Sequence, residues 1–276
     1  RNILRRAEQK KIVTGRRFIL NLEAFKLRRG FLFVSLYHAG LNFANFMEEI
    51  LSMENVHGVY FLTGEYDIAI SIIAKKIHRI NQIALEIESR FAEFIEQTSP
   101  VFVFRTYKRE FINAVEKKDK GTMLDQISKK LLIYKLKNPE SSIVKAASEI
   151  GVHRNTASKK WKLILNNAIL KTEPILAADY STSFGMNFNS FVFFDVKAGK
   201  TEEIAKRLCS LTEVKDLYLV SSHHDLLATV CVSDLNEFFK LHRKLFTNHK
   251  FFPLIIRTRS FVVLNKAEKR IGEDFI

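Results

Sequence analysis

The feature that most constrains this chain is an internal duplication: two stretches about 158 positions apart carry the same succession of hydrophobic patterns. In the first, Phe31-Leu-Phe-Val-Ser-Leu-Tyr37 is a short, bulky apolar run suited to a buried strand. Phe43, Phe46, Met47, Ile50 and Leu51 then recur at helical spacing, with Glu48 and Glu49 on the opposite face. Two strand-like runs, residues 56–63 and 66–73, flank Gly64-Glu65, where a glycine admits the positive φ of a tight hairpin. A second amphipathic helix carries Ile80, Ile83, Ala84, Ile87 and Phe91, and residues 100–105 supply a fourth strand.

The second copy repeats this order. A strand over 190–196 precedes a helix through Ile204, Leu208 and Leu211, then strands over 214–220 and 225–232. A helix with Leu235, Phe238, Phe239, His242 and Leu245 and a last strand over 253–257 complete it. Phe104-Arg105-Thr106 at the end of the first copy matches Ile256-Arg257-Thr258 at the end of the second. The expected fold is α+β, with two ferredoxin-like βαββαβ domains.

Between the copies, over roughly residues 114 to 180, the pattern changes to short helices with a Lys-rich surface and no clear alternating strands. A helix from Asp125 to about Leu136 buries Ile127, Leu131, Leu132 and Leu136 and stops at Asn138-Pro139. Ser141 or Ser142 caps the next, which carries Ile143, Ala146, Ala147 and Ile150 and ends at Gly151. A third helix starts near Arg154. Ala157, Trp161, Ile164 and Ala168 face its neighbours and turn Arg154, Asn155, Ser158, Lys159 and Lys162 outward.

That arrangement meets the requirements of a helix-turn-helix, whose last helix enters a DNA major groove nose first. Arg154 and Asn155 suit guanine and adenine edges, while lysines neutralise phosphates. Charge agrees, since the 276 residues carry a formal net +14, which attracts polyanions. Residues 1 to 30 hold ten Lys and Arg against Glu8 and Glu23, which fits a phosphate-facing segment or an ordinary solvated basic linker equally well.

These residues resemble the leucine-responsive/asparagine regulator (Lrp/AsnC) family, which joins a winged helix-turn-helix to a ferredoxin-like effector (RAM) domain. The resemblance rests on Asp125-Gln-Ile-Ser-Lys-Lys-Leu-Leu132, Ala146-Ala-Ser-Glu-Ile-Gly-Val152, Thr156-Ala-Ser-Lys-Lys160 and the hairpin Gly64-Glu-Tyr-Asp67. Arg1 to Gly15 resembles the tail of a recognition helix and its wing. The expected layout is therefore a tandem form: a truncated first module at 1–22, effector domains at 23–120 and 183–276, and a helix-turn-helix domain at 121–182. The resemblance implies a transcriptional regulator that binds double-stranded DNA through Ser142, His153, Arg154, Asn155, Thr156, Ser158, Lys159, Lys160 and Lys162, with Arg1, Arg5 and Arg6 from the first module. It also implies a small-molecule effector such as an amino acid at Gly64, Tyr66, Asp67, Ser222, His224 and Asp225, and self-association through the effector domains, within the chain or between chains.

Departures are visible. The second hairpin reads Ser221-Ser-His-His-Asp225, with Ser222 for the glycine and His224 for the tyrosine. An Asp just past a tight turn, such as Asp67 or Asp225, more often hydrogen-bonds the turn backbone than a ligand. Adjacent His223 and His224 point opposite ways in an extended segment, so no metal is expected. Cys209 and Cys231 read as buried free thiols of a soluble cytoplasmic protein, and no apolar stretch reaches the length of a membrane span. Some tetrapyrrole (siroheme-type) decarboxylases resemble this architecture and carry a His- and Arg-rich segment in the second strand. Residues 56–61 and 214–219 lack those arginines, and no catalytic triad, phosphate-cradling loop or acid pair is apparent. The expectation is accordingly not an enzyme, and without a cofactor.

Overall fold

The computed structural model describes residues 12–37, 42–110, 112–113, 124–167, 169–176, 188–248 and 253–269, with Arg6, Gln9, Lys10 and Phe251 besides. Along the chain, β1 (Val13–Leu20) precedes the first copy: β2 (Arg28–Leu36), α1 (Phe43–Ser52), β3 (Val56–Leu62), β4 (Ile68–Ala74), α2 (Ile77–Arg90) and β5 (Ile95–Arg109). Then come β6 (Ile112–Asn113), α3 (Gln126–Lys137), α4 (Ile143–Glu149), α5 (Arg154–Asn167) and β7 (Ile169–Leu176). The second copy is β8 (Phe188–Val196), α6 (Thr201–Cys209), β9 (Val214–Ser221), β10 (Leu226–Val232), α7 (Leu235–Thr247) and β11 (Ile255–Glu268). The chain divides into two compact units, one drawing on residues 1–27 and 117–184, the other on 28–116 and 185–270.

In the larger unit each copy forms four strands, in the order β5-β2-β4-β3 and β11-β8-β10-β9. Taken alone, each would leave two unpaired edges, and exposed strand edges invite association. Here the edges meet each other: β3 pairs antiparallel with β11, and β5 with β9, closing eight strands into a ring. The two halves of the chain thus pair within one molecule. This explains why β5 and β11 run far beyond the stretches expected from hydrophobicity. The first part of β11 pairs with β8, and its polar continuation reaches β3. Cross-strand pairing carries the strand through polar Thr258, Arg259 and Ser260 and on from Asn265 to Glu268, on either side of the apolar run Phe261-Val-Val-Leu264.

Closure covers both faces of the strands, which is why β2 reads as a continuous apolar run and not an alternating one. Outward-facing Leu32, Val34, Ile70 and Ile72 pack beneath α1 and α2 with Phe46, Ile50, Ile80 and Ile83. Val192, Phe194, Leu217 and Ala228 do the same beneath α6 and α7. Leu235 and Phe239, expected on the apolar face of α7, are exposed, while Leu241 takes an inward place beside Phe238 and Leu245.

The inner face is aromatic. Phe31, Phe33, Tyr60, Phe191, Phe193, Tyr218 and Phe261 fill the ring's centre. The Phe191 ring lies 5.7 Å from those of both Phe31 and Phe33 and 5.2 Å from that of Tyr60, all edge to face.

In the smaller unit α3, α4 and α5 pack around Leu131, Leu132, Ala146, Ala147, Ala157 and Ile164. The three alanines let the helices approach closely. Leu20 of β1 and Ile169 of β7 join this core, because β1 and β7 pair antiparallel as a two-stranded ribbon. Local patterning over 114–180 offered no clear alternating strand, because the partner of β7 lies about 150 residues upstream. Ile127 and Leu136, expected in the core, are only half-buried, and buried Lys135 lies within 6.0 Å of the rings of Phe18 and Trp161.

Replacing Phe191 by Ala removes the ring shared by three edge-to-face pairs. The expected loss is about 3–5 kcal/mol, read from the urea midpoint.

Candidate nucleic-acid interface and effector pocket

The candidate DNA-facing surface is built on α5. Ser142 caps α4, its hydroxyl accepting from Lys145 N at 3.1 Å. Helix α4 ends at Glu149 with Ile150 as its cap, and Gly151 follows with a φ of +72°, in the left-handed region that a side chain would strain. The Val152 amide reaches back to Ala147 O at 2.9 Å, closing the turn. The chain then re-enters a helix at His153, whose Nδ1 accepts from Asn155 N at 3.3 Å, an imidazole serving where a hydroxyl usually does.

With Ala157 and Ile164 buried, the opposite side of α5 exposes His153, Arg154, Asn155, Ser158, Lys159 and Lys162 together, while Thr156 is half-buried. The helix carries four basic residues and no acidic one. Lys160 departs from the expected phosphate-facing set: it pairs with Asp125, the cap of α3, and is half-buried. That lysine and the Ser128 hydrogen bonds hold the Asp125 carboxyl at about 2. Arg6 is exposed, and Arg1 and Arg5 lie outside the described residues.

Among the described residues of the larger unit, two cavities lie at opposite ends of the strand ring. One, of about 420 Å³, lies at the hairpin end. Phe33, Tyr66, Phe193 and Phe261 wall it, and His223, Arg257 and Arg259 bring polar groups. Of the six expected effector residues it gathers Tyr66, Ser222 and His224. Gly64, with φ +113°, shapes the first hairpin instead. Asp67 and Asp225 serve as hairpin clamps: Asp67 Oδ2 accepts from Leu36 N and Asp225 Oδ2 from Val196 N, each at 2.7 Å. In both copies the same Asp amide also donates to the strand, to Val34 O or Phe194 O.

Sequence reasoning missed Asp195, Arg257 and Arg259. Asp195 takes hydrogen bonds from His224 Nδ1 and, at 2.6 Å, from Arg257 Nε. Burial acts to raise its carboxyl, but these two partners hold it below the ordinary carboxylate range. Arg259 reaches Glu65 of the other hairpin at 2.9 Å. The available signal was charge on the inward side of otherwise apolar strands.

The second cavity, of about 40 Å³, is lined by charged side chains, several of them buried, and by aromatic rings. Tyr60 donates to Glu268 at 2.5 Å, and Lys215 pairs with Glu110 at 3.2 Å. Burial acts to raise the Glu268 carboxyl, but Lys266, the Tyr60 hydroxyl and Lys215 outweigh it and set it at about 2. Burial and then the Arg29 and Arg109 guanidiniums hold the His57 imidazole well below its ordinary value.

Comparison with known proteins follows the duplication. A family model described as the Lrp/AsnC ligand binding domain matches twice, at residues 31–112 and 189–271. An uncharacterized HTH-type transcriptional regulator of Pyrococcus furiosus is 28% identical over 115 residues, covering 42% of this chain and 76% of that protein. The HTH-type transcriptional regulator FL11 of the same organism is 23% identical over 115 residues, 42% of this chain and 75% of its own. Among solved structures, the siroheme decarboxylase NirDL covers 99% of this chain and 84% of its own with a TM-score of 0.68 at 10% identity. This last match overturns the expectation that the chain is not an enzyme. That expectation rested on the arginines missing from the second strands and on the lack of a recognisable catalytic set, whereas the fold is one that a decarboxylase also carries. Among the described residues no helix is long and apolar enough to cross a membrane.

Asp225→Ala orphans the Val196 amide and is expected to cost about 1–3 kcal/mol in a denaturant titration. The depressed Glu268 pKa implies stability that is complete above the unfolded value near 4.5 and lost as pH falls toward about 2. Between pH 5 and 3 the urea midpoint therefore falls less steeply in Glu268→Gln than in wild type.

Proposed function

Because the chain belongs to the Lrp/AsnC ligand binding domain family, we propose that it is a sequence-specific DNA-binding transcriptional regulator. The observation carrying this reading is the exposed, acid-free face of α5, presented beyond a Gly151 turn. In this reading the smaller unit is a winged helix-turn-helix, with the β1–β7 ribbon as its wing. Arg154, Asn155 and Ser158 read base edges, while Lys159 and Lys162 neutralise phosphates. Lys160 braces α5 against the α3 cap through Asp125 and contributes little to binding. The names of the Pyrococcus relatives support the same reading.

The domain layout proposed is 1–22, 23–120, 121–182 and 183–276, with the two effector domains joined as one closed sheet. The 420 Å³ cavity is the proposed effector site. Its aromatic walls suit an apolar side chain, and Arg257 and Arg259 suit the carboxylate of an amino acid. Gly64, Asp67 and Asp225 contribute by holding Tyr66 and His224 at its rim.

A second reading has its own support. The solved neighbour is described in complex with an iron-uroporphyrin III analogue, and the same cavity combines aromatic walls with two guanidiniums and His223. Arginines absent from the second strand of each copy are here supplied by β11. The chain would then bind a carboxylated tetrapyrrole as substrate, which a shifted visible absorption band of added iron-uroporphyrin would reveal.

Selection of bound duplexes from a random pool tests the regulator reading, and an unselected pool counts against it. Arg154→Ala is expected to weaken the selected site by about 1–3 kcal/mol and relax base choice. Lys159→Ala lowers affinity for every duplex and reduces the salt slope by about one, whereas Lys160→Ala changes both less.

A further inference from the structure

We propose that the small cavity at the end of the ring opposite the hairpins is a binding site for a small monocarboxylate, the size of formate or acetate. The first observation is unmet hydrogen-bonding capacity. Arg29 and Arg109 are only 7% and 8% exposed, yet Arg29 Nε and Nη2 and Arg109 Nε have no hydrogen-bond partner among the described residues. A buried guanidinium with idle donors is destabilising unless an acceptor completes it.

Charge is the second observation. Four cationic side chains line the cavity, Arg29, Arg109, Lys215 and Lys266, against three carboxylates, Glu110, Asp216 and Glu268. Those carboxylates are engaged: Glu110 with Lys215, Glu268 with Tyr60 and Lys266, and Asp216 with the Glu110 amide at 2.9 Å. Lys266 and Glu268 are exposed and offset each other, so among the less exposed groups Arg29, Arg109 and Lys215 outnumber Glu110 and Asp216 by one positive charge. Water satisfies idle N–H groups but leaves that charge uncompensated, whereas a monoanion does both.

Size and shape narrow the class. A volume of about 40 Å³ exceeds the roughly 10–15 Å³ that one water requires and suits about three non-hydrogen atoms, a carboxylate group. Guanidinium donors match a planar, bidentate acceptor better than a sphere or a tetrahedron. The surrounding faces of Phe31 and Phe191 accept a methyl group and offer a hydrated dianion nothing. The site depends on the closed ring, because Arg29 and Arg109 come from the first copy while Lys215 and Asp216 come from the second. It is independent of the effector and DNA readings, which concern other residues.

Isothermal titration of the full chain with sodium acetate tests the proposal, with sodium chloride and inorganic phosphate as arms at equal ionic strength. The expected result is saturable one-site binding of acetate, about tenfold or more tighter than chloride or phosphate. Arg29→Gln is expected to weaken acetate about tenfold or more, whereas Lys206→Ala, an equal charge loss on the exposed side of α6, leaves it unchanged. Should Arg29→Gln not fold, the wild-type protein still decides: saturating acetate shifts the Arg29 and Arg109 Nε–H resonances. No saturation with acetate, equal binding of chloride or phosphate, or unmoved Nε–H resonances would overturn the proposal.

Discussion

Reciprocal edge pairing is the interaction on which the larger unit depends. Each four-stranded half buries one face under its own helices and leaves the other face and both edges bare. When β3 joins β11 and β5 joins β9, the edges disappear and the inner faces become a common interior. The aromatic core and both cavities exist only because of this closure. Duplication within one chain makes the pairing intramolecular, so it needs no second molecule and no concentration to drive it.

Closure also sorts the polar groups. Along β2 and β8 the inward positions pass from Arg29 or Asn189 through phenylalanines to the hairpin end. The middle of the ring is dry and packed, while each end keeps charges it has paired incompletely. A buried charge is tolerated where the surrounding structure is rigid enough to hold its partners, which an eight-stranded ring supplies. The clamps Asp67 and Asp225 belong to this frame: they tie each hairpin to the first strand of its own copy and so hold Tyr66 and His224 beside the larger cavity.

Much was legible in local pattern. The order strand, helix, strand, strand, helix, strand was readable twice, because helical and strand periods leave distinct hydrophobic signatures. The three helices of the smaller unit and the outward set on α5 followed from Ala157, Trp161 and Ile164, together with the glycine at 151. The pairing of β1 with β7 and the full length of β11 were not read from local pattern, since these strands pass through polar residues that distant partners hold in place. Lys160 looked like its neighbours Lys159 and Lys162 until the cap of α3 came to lie beside it.

The amino-acid order by itself determined the duplicated element sequence, the hairpin turns and a basic helix free of acids, all of which arise from interactions a few residues apart. Only the tertiary structure decided that the copies close on each other, that Asp195, Arg257 and His224 meet, and that Arg29 and Arg109 share a cavity with Lys215. Those choices depend on which edges pair and in what register, and register is set by long-range complementarity that no local window contains.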